Sequence, residues 1–233
     1  ESVTALVCTI AGEATTMGGS GTSWTSTLTL SGDETEQSTV FSCASHIDAA
    51  GNAGATDTSA NSGAVTVDLT LPTLGIAMAS NNAVSTLAKS GDNIVLTITP
   101  TESVTALVCT IAGEATTMGG SGTSWTSTLT LSGNEAESAT AFSCASHLDA
   151  AGNAGVTDTS ASSGSVTIDL TAPTLGIAMA SNNAQAATQA TTGNTITLTI
   201  TPTETVTALV CTIDEEATTM GGSGTSWTST LTL

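Results

Sequence analysis

One stretch of sequence occurs three times in this chain of 233 residues, at nearly constant spacing. The segment 4–10 (TALVCTI) returns at 105–111 and at 207–213, and the run 13–30 returns unchanged at 114–131 and 216–233. An offset of about 101 residues is the length of one small domain and is too long for one turn of a solenoid. We therefore predict a partial repeat at 1–71, a complete repeat at 72–172 and a partial repeat at 173–233.

The charge of the chain is one-sided. Lys89 is the only Lys or Arg against 20 acidic residues, which gives a formal net charge of −19 with His neutral. Phosphate groups are bound by Lys and Arg, so this composition argues against nucleic acid and anionic membranes as partners. Apolar runs are all much shorter than the ~20 residues that a membrane-spanning helix needs, so we expect no membrane insertion within the segment.

Strand patterns dominate the complete repeat. Residues 93–99 alternate between apolar and polar, and residues 104–111 place Leu107, Cys109 and Ile111 on one face. The segment 124–131 places Trp125 and Leu129 on one face, and 139–148 is predicted to place Phe142, Cys144 and Leu148 together. Short strands at 74–78 and 165–169 complete a set of about seven. This spacing predicts an all-β fold, an antiparallel β-sandwich in each repeat.

The order of motifs in the repeat resembles a known family. GDNIVLTITPTE at 91–102 is followed by VTALVCTIAGEATTM, GTSWTSTLTL, DAAGNAG and VTIDLTAPTL, which ends at Leu175. This series is similar to the bacterial immunoglobulin-like (Ig-like) repeats of giant cell-surface adhesins, stalks and fibres. The resemblance covers the whole chain and implies tandem Ig-like sandwiches arranged as a linear rod, outside the cell. Most members of that group lack the cysteines that this chain carries.

Each repeat that is long enough has two cysteines, Cys8 with Cys43 and Cys109 with Cys144. Both members of a pair lie on the apolar face of strands that are neighbours in an Ig-type sandwich, so we predict a disulfide in each repeat, packed against the Trp. Cys211 matches Cys8 and Cys109, and its partner is expected beyond residue 233. The alternative is a pair of reduced, buried thiols. Paired cysteines in a small repeated β domain favour an oxidising, extracellular location.

Acidic and amide side chains gather near one end of each repeat and in the linker that follows it. Their oxygen atoms are of the kind that calcium prefers, and the resemblance to calcium-stiffened adhesin spacers suggests calcium at the joints. Turn formation is the competing explanation, since Asp and Asn are common in turns and the spacing matches no EF-hand. The candidate ligands are Asp149, Asn153, Asp158 and Asp169, with Asp48, Asn52, Asp57 and Asp68 as their counterparts.

No catalytic motif is recognisable, so we predict that the chain is not an enzyme. His46 and His147 form Cys-x-x-His patterns, but these supply only two of the four ligands of a structural zinc site. The glycine-rich run 118–122 lacks the Lys of a phosphate-binding loop and is predicted to be a hairpin turn.

The leading functional hypothesis is a structural one, in which disulfide-stabilised repeats act as a spacer within a long extracellular fibre, stalk or adhesin. No cofactor is required, and calcium is the one candidate. A multivalent module that binds surface glycans is an alternative. The first and last copies are incomplete, so we expect a segment of a longer tandem array; copies that complete one another by strand exchange, forming a filament, are the other explanation.

Overall fold

The computed structural model describes residues 1–233 and is all-β. No part of the chain forms a helix with the length and apolar character that crossing a membrane requires. The chain divides into two compact units, Glu1–Ile168 and Asp169–Leu233. The first unit holds the first two repeats, and the second unit holds the third, so the two are described separately.

The first repeat, residues 1–71, contributes short strands in three small sheets. They are β1 (Val3–Thr4), β2 (Val7–Ile10), β3 (Glu13–Ala14), β4 (Thr16–Ser20), β5 (Ser23–Thr27), β6 (Phe41–Ala44) and β7 (Ile47–Asp48). The sheet orders are β3-β2-β6, β4-β5 and β1-β7, and all three sheets are antiparallel.

The second repeat is the complete one. Its strands are β8 (Leu74–Ser80), β9 (Leu87–Ala88), β10 (Asn93–Pro100), β11 (Val108–Ile111), β12 (Glu114–Ala115), β13 (Thr117–Ser121), β14 (Ser124–Thr130), β15 (Phe142–Ala145) and β16 (Thr167–Ile168). They form a four-stranded sheet in the order β13-β14-β10-β8 and a three-stranded sheet in the order β12-β11-β15. A short pair, β16 with β9, completes the repeat.

The alternating pattern of β10 explains the core of the second repeat. Ile94, Leu96 and Ile98 are fully buried, while Thr97 and Thr99 point outward and are exposed. Cys109 and Ile111 of β11, and Leu107 just before it, are buried, as their alternation predicts. Each of the two sheets therefore has one buried face, an arrangement consistent with a β-sandwich.

Three sequence-based expectations about this repeat need correction. The predicted strand 104–111 is shorter, because Ala106 adopts a left-handed backbone with φ of 58° and interrupts the extended chain. Ser146 also adopts a left-handed backbone, with φ of 61°, and this reverses which of the following side chains face the core. His147 is consequently buried, and Leu148 is 36% exposed instead of facing the core. Pairing is also not wholly antiparallel, since β16 runs parallel to β9.

The third repeat, described by itself, repeats the larger sheet. Its strands are β17 (Leu175–Ser181), β18 (Thr195–Pro202), β19 (Thr212–Ile213), β20 (Glu216–Ala217), β21 (Thr219–Ser223) and β22 (Ser226–Thr232). The sheet order β17-β18-β22-β21 matches that of the second repeat. Leu198, Ile200 and Ile213 form its small core, and Trp227 packs against them while remaining partly exposed.

Both complete cysteine pairs form disulfides, Cys8–Cys43 and Cys109–Cys144. The strand register explains why. Cys144 exchanges its backbone hydrogen bonds with Asp158, on the side away from β11, so Cys109 and Cys144 face each other as a close pair that shares no backbone hydrogen bond. Their Cα atoms are 4.1 Å apart, and both residues are buried. Cys211 is free.

Candidate functional site

The junction between the first and second repeats brings together acidic side chains from three separate parts of the sequence. Asp68 lies in the linker between the repeats, residues 68–72, Glu102 follows β10, and Asp149 follows β15. One carboxylate oxygen of each lies within 4.8 Å of the others. We call these three residues the acidic cluster.

Asp149 is the buried member of the acidic cluster. Its carboxylate accepts hydrogen bonds from the backbone N–H of Gly152 at 2.7 Å and of Asn153 at 2.8 Å, and from Asn153 Nδ2 at 2.7 Å. Burial alone would raise the pKa of Asp149, but the hydrogen bonds from Asn153 and Gly152 outweigh it and hold the pKa below its usual value. The surroundings of Asp149 therefore favour its ionised form.

Glu102 is in the opposite electrostatic situation. Partial burial raises the pKa of Glu102, and the neighbouring carboxylates of Asp68, Asp149 and Glu36 raise it further. The only Lys or Arg side chain, Lys89, lies instead beside Asp92, with 4.0 Å between Nζ and Oδ1. No Lys or Arg side chain thus offsets the negative charge of the acidic cluster.

The acidic cluster fits the requirements of a divalent cation. Calcium binds oxygen ligands at about 2.3–2.6 Å, so two ligands of one ion lie at most about 5 Å apart. The 4.8 Å limit on the three carboxylate oxygens meets this condition. Three carboxylates supply three to six of the six to eight oxygens that calcium takes, and water or backbone carbonyls can supply the rest.

The linker beside the cluster is held by side chains from both repeats. Glu36 of the first repeat accepts hydrogen bonds from Leu69 N at 2.9 Å and from Thr70 Oγ1 at 2.7 Å. Asn153 of the second repeat donates from Nδ2 to the carbonyl oxygen of Asp68 at 3.0 Å. The linker is therefore bonded to the folded repeats on both sides of the junction.

Two further contacts hold the linker where it enters the second repeat. Pro72 is fully buried, and its carbonyl oxygen lies 3.3 Å from Nε2 of the buried His147. Thr73 and Thr101 then pair through Thr101 N to Thr73 O at 2.9 Å and Thr73 N to Thr101 Oγ1 at 3.1 Å. The second repeat thus begins in a fixed position.

The predicted calcium ligands do not assemble as two separate sets of four. Asp149 and Asn153 lie together, and the acidic cluster adds Asp68 of the other set and Glu102, which was not predicted. Asp48 and Asn52 form the equivalent loop of the first repeat, with Asn52 Nδ2 2.7 Å from Asp48 Oδ2. Asp57 and Asp158 accept hydrogen bonds from Ser59 and Ser160, and Asp169 accepts one from Thr171, so these three side chains take part in local turns.

The two Cys-x-x-His patterns and the glycine-rich run 118–122 have structural roles. The cysteines of both Cys-x-x-His patterns are disulfide-bonded, so their sulfur atoms are not available to a metal as thiolates. The glycine-rich run was predicted to be a turn, but residues 118–121 lie in strand β13, and only Gly122 lies in the turn of the β13–β14 hairpin. Gly120 has φ of 92°. A Cβ atom there would lie 2.2 Å from the carbonyl oxygen of Ser124, so the hairpin requires glycine.

No protein-family model and no curated protein sequence matches this chain.

Proposed function

We propose that this chain is a structural segment of a long extracellular fibre, stalk or adhesin, and that its repeats act as disulfide-stabilised spacers of the Ig-like type. The observation that carries the proposal is the recurrence of the same strand pairings in successive copies. The pairs Cys8 with Cys43 and Cys109 with Cys144 have the same register, and the hairpin around the glycine-rich turn is paired identically in all three copies. Repetition without variation suits a part whose function is length.

The way in which the repeats are joined supports a linear arrangement. The linker between the first and second repeats is short, contains Pro72 and is hydrogen-bonded to both repeats. A chain of domains connected in this way resists bending more than one connected by a flexible glycine-serine tether. A rod of such repeats would extend other parts of a protein away from a surface.

The exposed surface favours a spacer over a glycan-binding module. Glycan recognition commonly uses exposed aromatic side chains, and this chain has three Trp and two Phe. Phe142 is buried, and the other four are partly buried. The indole N–H of Trp125 donates to the carbonyl of Gly122 at 2.9 Å, so its polar atom is already bonded within the protein.

A glycan array probed with the oxidised chain separates the two functions. The spacer proposal predicts no glycan bound above background at micromolar concentrations. A saturable signal on one class of glycan, lost in a variant with Trp24, Trp125 and Trp227 replaced by Phe but unchanged in stability, would favour the multivalent binding module instead.

We also propose that calcium binds at the acidic cluster and neutralises its charge. Support comes from the proximity of the three carboxylates and from the absence of a Lys or Arg side chain beside them. Isothermal titration with calcium tests this, with Glu102→Gln as the variant expected to weaken binding and Glu114→Gln, an exposed acid on β12, as the control. Equal heats from the wild type and Glu102→Gln would reject the site.

The disulfides bear on location. One disulfide in each of two small β repeats is typical of proteins that fold in an oxidising environment. We propose secretion to the cell surface, in keeping with the spacer function and with the resemblance to bacterial surface repeats.

A further inference from the structure

The loop sequence DAAGNAG occurs twice, at 48–54 in the first repeat and at 149–155 in the second. Turn formation accounts for part of it. In both copies the Asp carboxylate accepts hydrogen bonds from the backbone and from the side chain of the Asn four residues later. Turn formation does not account for the second hydrogen bond that Asn153 makes.

We propose that the loop 149–155, together with His147, is a docking site for the linker that enters its repeat. The Asn153 side chain makes the main contact with the linker. Its hydrogen bond to Asp149 fixes its position, and its Nδ2 also donates to the carbonyl oxygen of Asp68 at 3.0 Å. The partner is a backbone carbonyl 85 positions away, at the end of the preceding repeat. This inference rests on the proposed spacer function, because it names the residues that make the joint stiff.

Gly155 is the second element of the docking site. A Cβ atom at this position would lie 2.6 Å from the carbonyl oxygen of Pro72 and 1.8 Å from Nε2 of His147. The backbone at Gly155 also donates to the carbonyl of His147 at 2.9 Å, which holds the loop against the histidine. Glycine here lets the linker and the imidazole pack directly against the loop backbone.

The first repeat supplies an internal control for this assignment. Asn52 occupies the same loop and makes the same bonds to Asp48, and Gly54 packs in the same way against His46. Asn52 Nδ2 donates to Asp48 Oδ2 at 2.7 Å and makes no bond to a linker carbonyl. Replacing Asn52 therefore removes the turn bond alone, whereas replacing Asn153 removes the turn bond and the linker bond together.

Hydrogen exchange measured by mass spectrometry on the full chain tests the docking site. The peptide covering 66–74 reports on the linker, since Leu69 N bonds to Glu36 and Thr73 N bonds to Thr101. We expect Asn153→Ala to speed exchange of this peptide by roughly 3- to 10-fold, the effect of losing one net hydrogen bond. The peptide covering 93–100 in the core should keep its protection, which would exclude general unfolding.

Asn52→Ala should leave the 66–74 peptide unchanged and alter only its own loop. If the 66–74 peptide of Asn153→Ala exchanges at the wild-type rate while the core peptide keeps its protection, the docking site is overturned. Equal acceleration in both variants also overturns it, because the loop would then act only as a turn. Neither result bears on whether the repeats form a spacer, which is decided by the shape of the chain in solution.

Discussion

Removing the Cys109–Cys144 disulfide should greatly destabilise the second repeat. The two cysteines are 35 positions apart. Closing a loop of that length lowers the entropy of the unfolded chain by an amount worth about 4 kcal/mol at 25 °C. Domains of this size have a net stability of about 5–15 kcal/mol, so the disulfide supplies a large part of it.

Urea unfolding of the chain carrying Cys109→Ala and Cys144→Ala measures this loss, with hydrogen exchange of the peptide 93–100 as the probe of the second repeat. A loss of about 4 kcal/mol should lower the urea midpoint by roughly 1–4 M. It should lower the melting temperature by about 15–30 °C. The wild-type chain reduced under denaturing conditions is the companion sample, because it keeps the buried sulfur atoms and loses only the bond.

The matched control is the chain carrying Cys8→Ala and Cys43→Ala, which loses the disulfide of the first repeat. Its 93–100 peptide should unfold at a midpoint much closer to wild type than that of the Cys109 and Cys144 variant. A loss below about 1 kcal/mol in the second repeat of the reduced chain would refute the reasoning, since the loop-closure entropy would then not be a main source of stability.

Three further outcomes follow from individual side chains. Glu102→Gln should stabilise the second repeat against urea at pH 7 without calcium, because the raised pKa of Glu102 means that its ionisation costs free energy in the folded state. This gain in stability should vanish as the pH falls below the ordinary glutamate pKa, where Glu102 is protonated in both the folded and the unfolded chain. Hydrogen bonds from Ser132 and Gly133 lower the pKa of Glu135 to about 2. The wild-type chain should therefore lose stability as the pH falls from about 4.5 towards 2. Thermal melts across that range should show a smaller loss of stability for Glu135→Gln. Gly120→Ala should lower the melting temperature more than Gly113→Ala, since both positions have positive φ but only at Gly120 would the new Cβ atom meet another atom within 4 Å.

Much of the fold follows from local patterns in the sequence. The alternation in 93–99 identifies β10 and its buried face, and the repeat spacing identifies equivalent strands in each copy. The cysteine pairs could be predicted because both members of each pair lie on apolar faces. The left-handed backbone of Ala106 and Ser146 could not be predicted, since neither residue is a glycine and non-glycine residues seldom adopt positive φ.

The junction shows where sequence reasoning stops. The sequence identifies Asp149 and Asn153 as candidate oxygen ligands near a linker. Glu102 was missed, because it follows a strand far from both and nothing in its local sequence relates it to Asp68. Only the folding of β10 beside the loop brings these carboxylates within 4.8 Å of one another. The role of Asn153 in holding the linker was likewise invisible, since its partner is a backbone carbonyl.

Small-angle scattering of the oxidised 233-residue chain tests the spacer account most directly. A compact globule of this length has a radius of gyration of about 17 Å. Repeats in a line, each about 40 Å long from roughly ten strand residues at ~3.3 Å and the adjoining turns, would give about 25–30 Å. We predict the larger value, with a distance distribution skewed to long distances, for the monomer. A radius near 17 Å with a symmetric distribution would contradict the account.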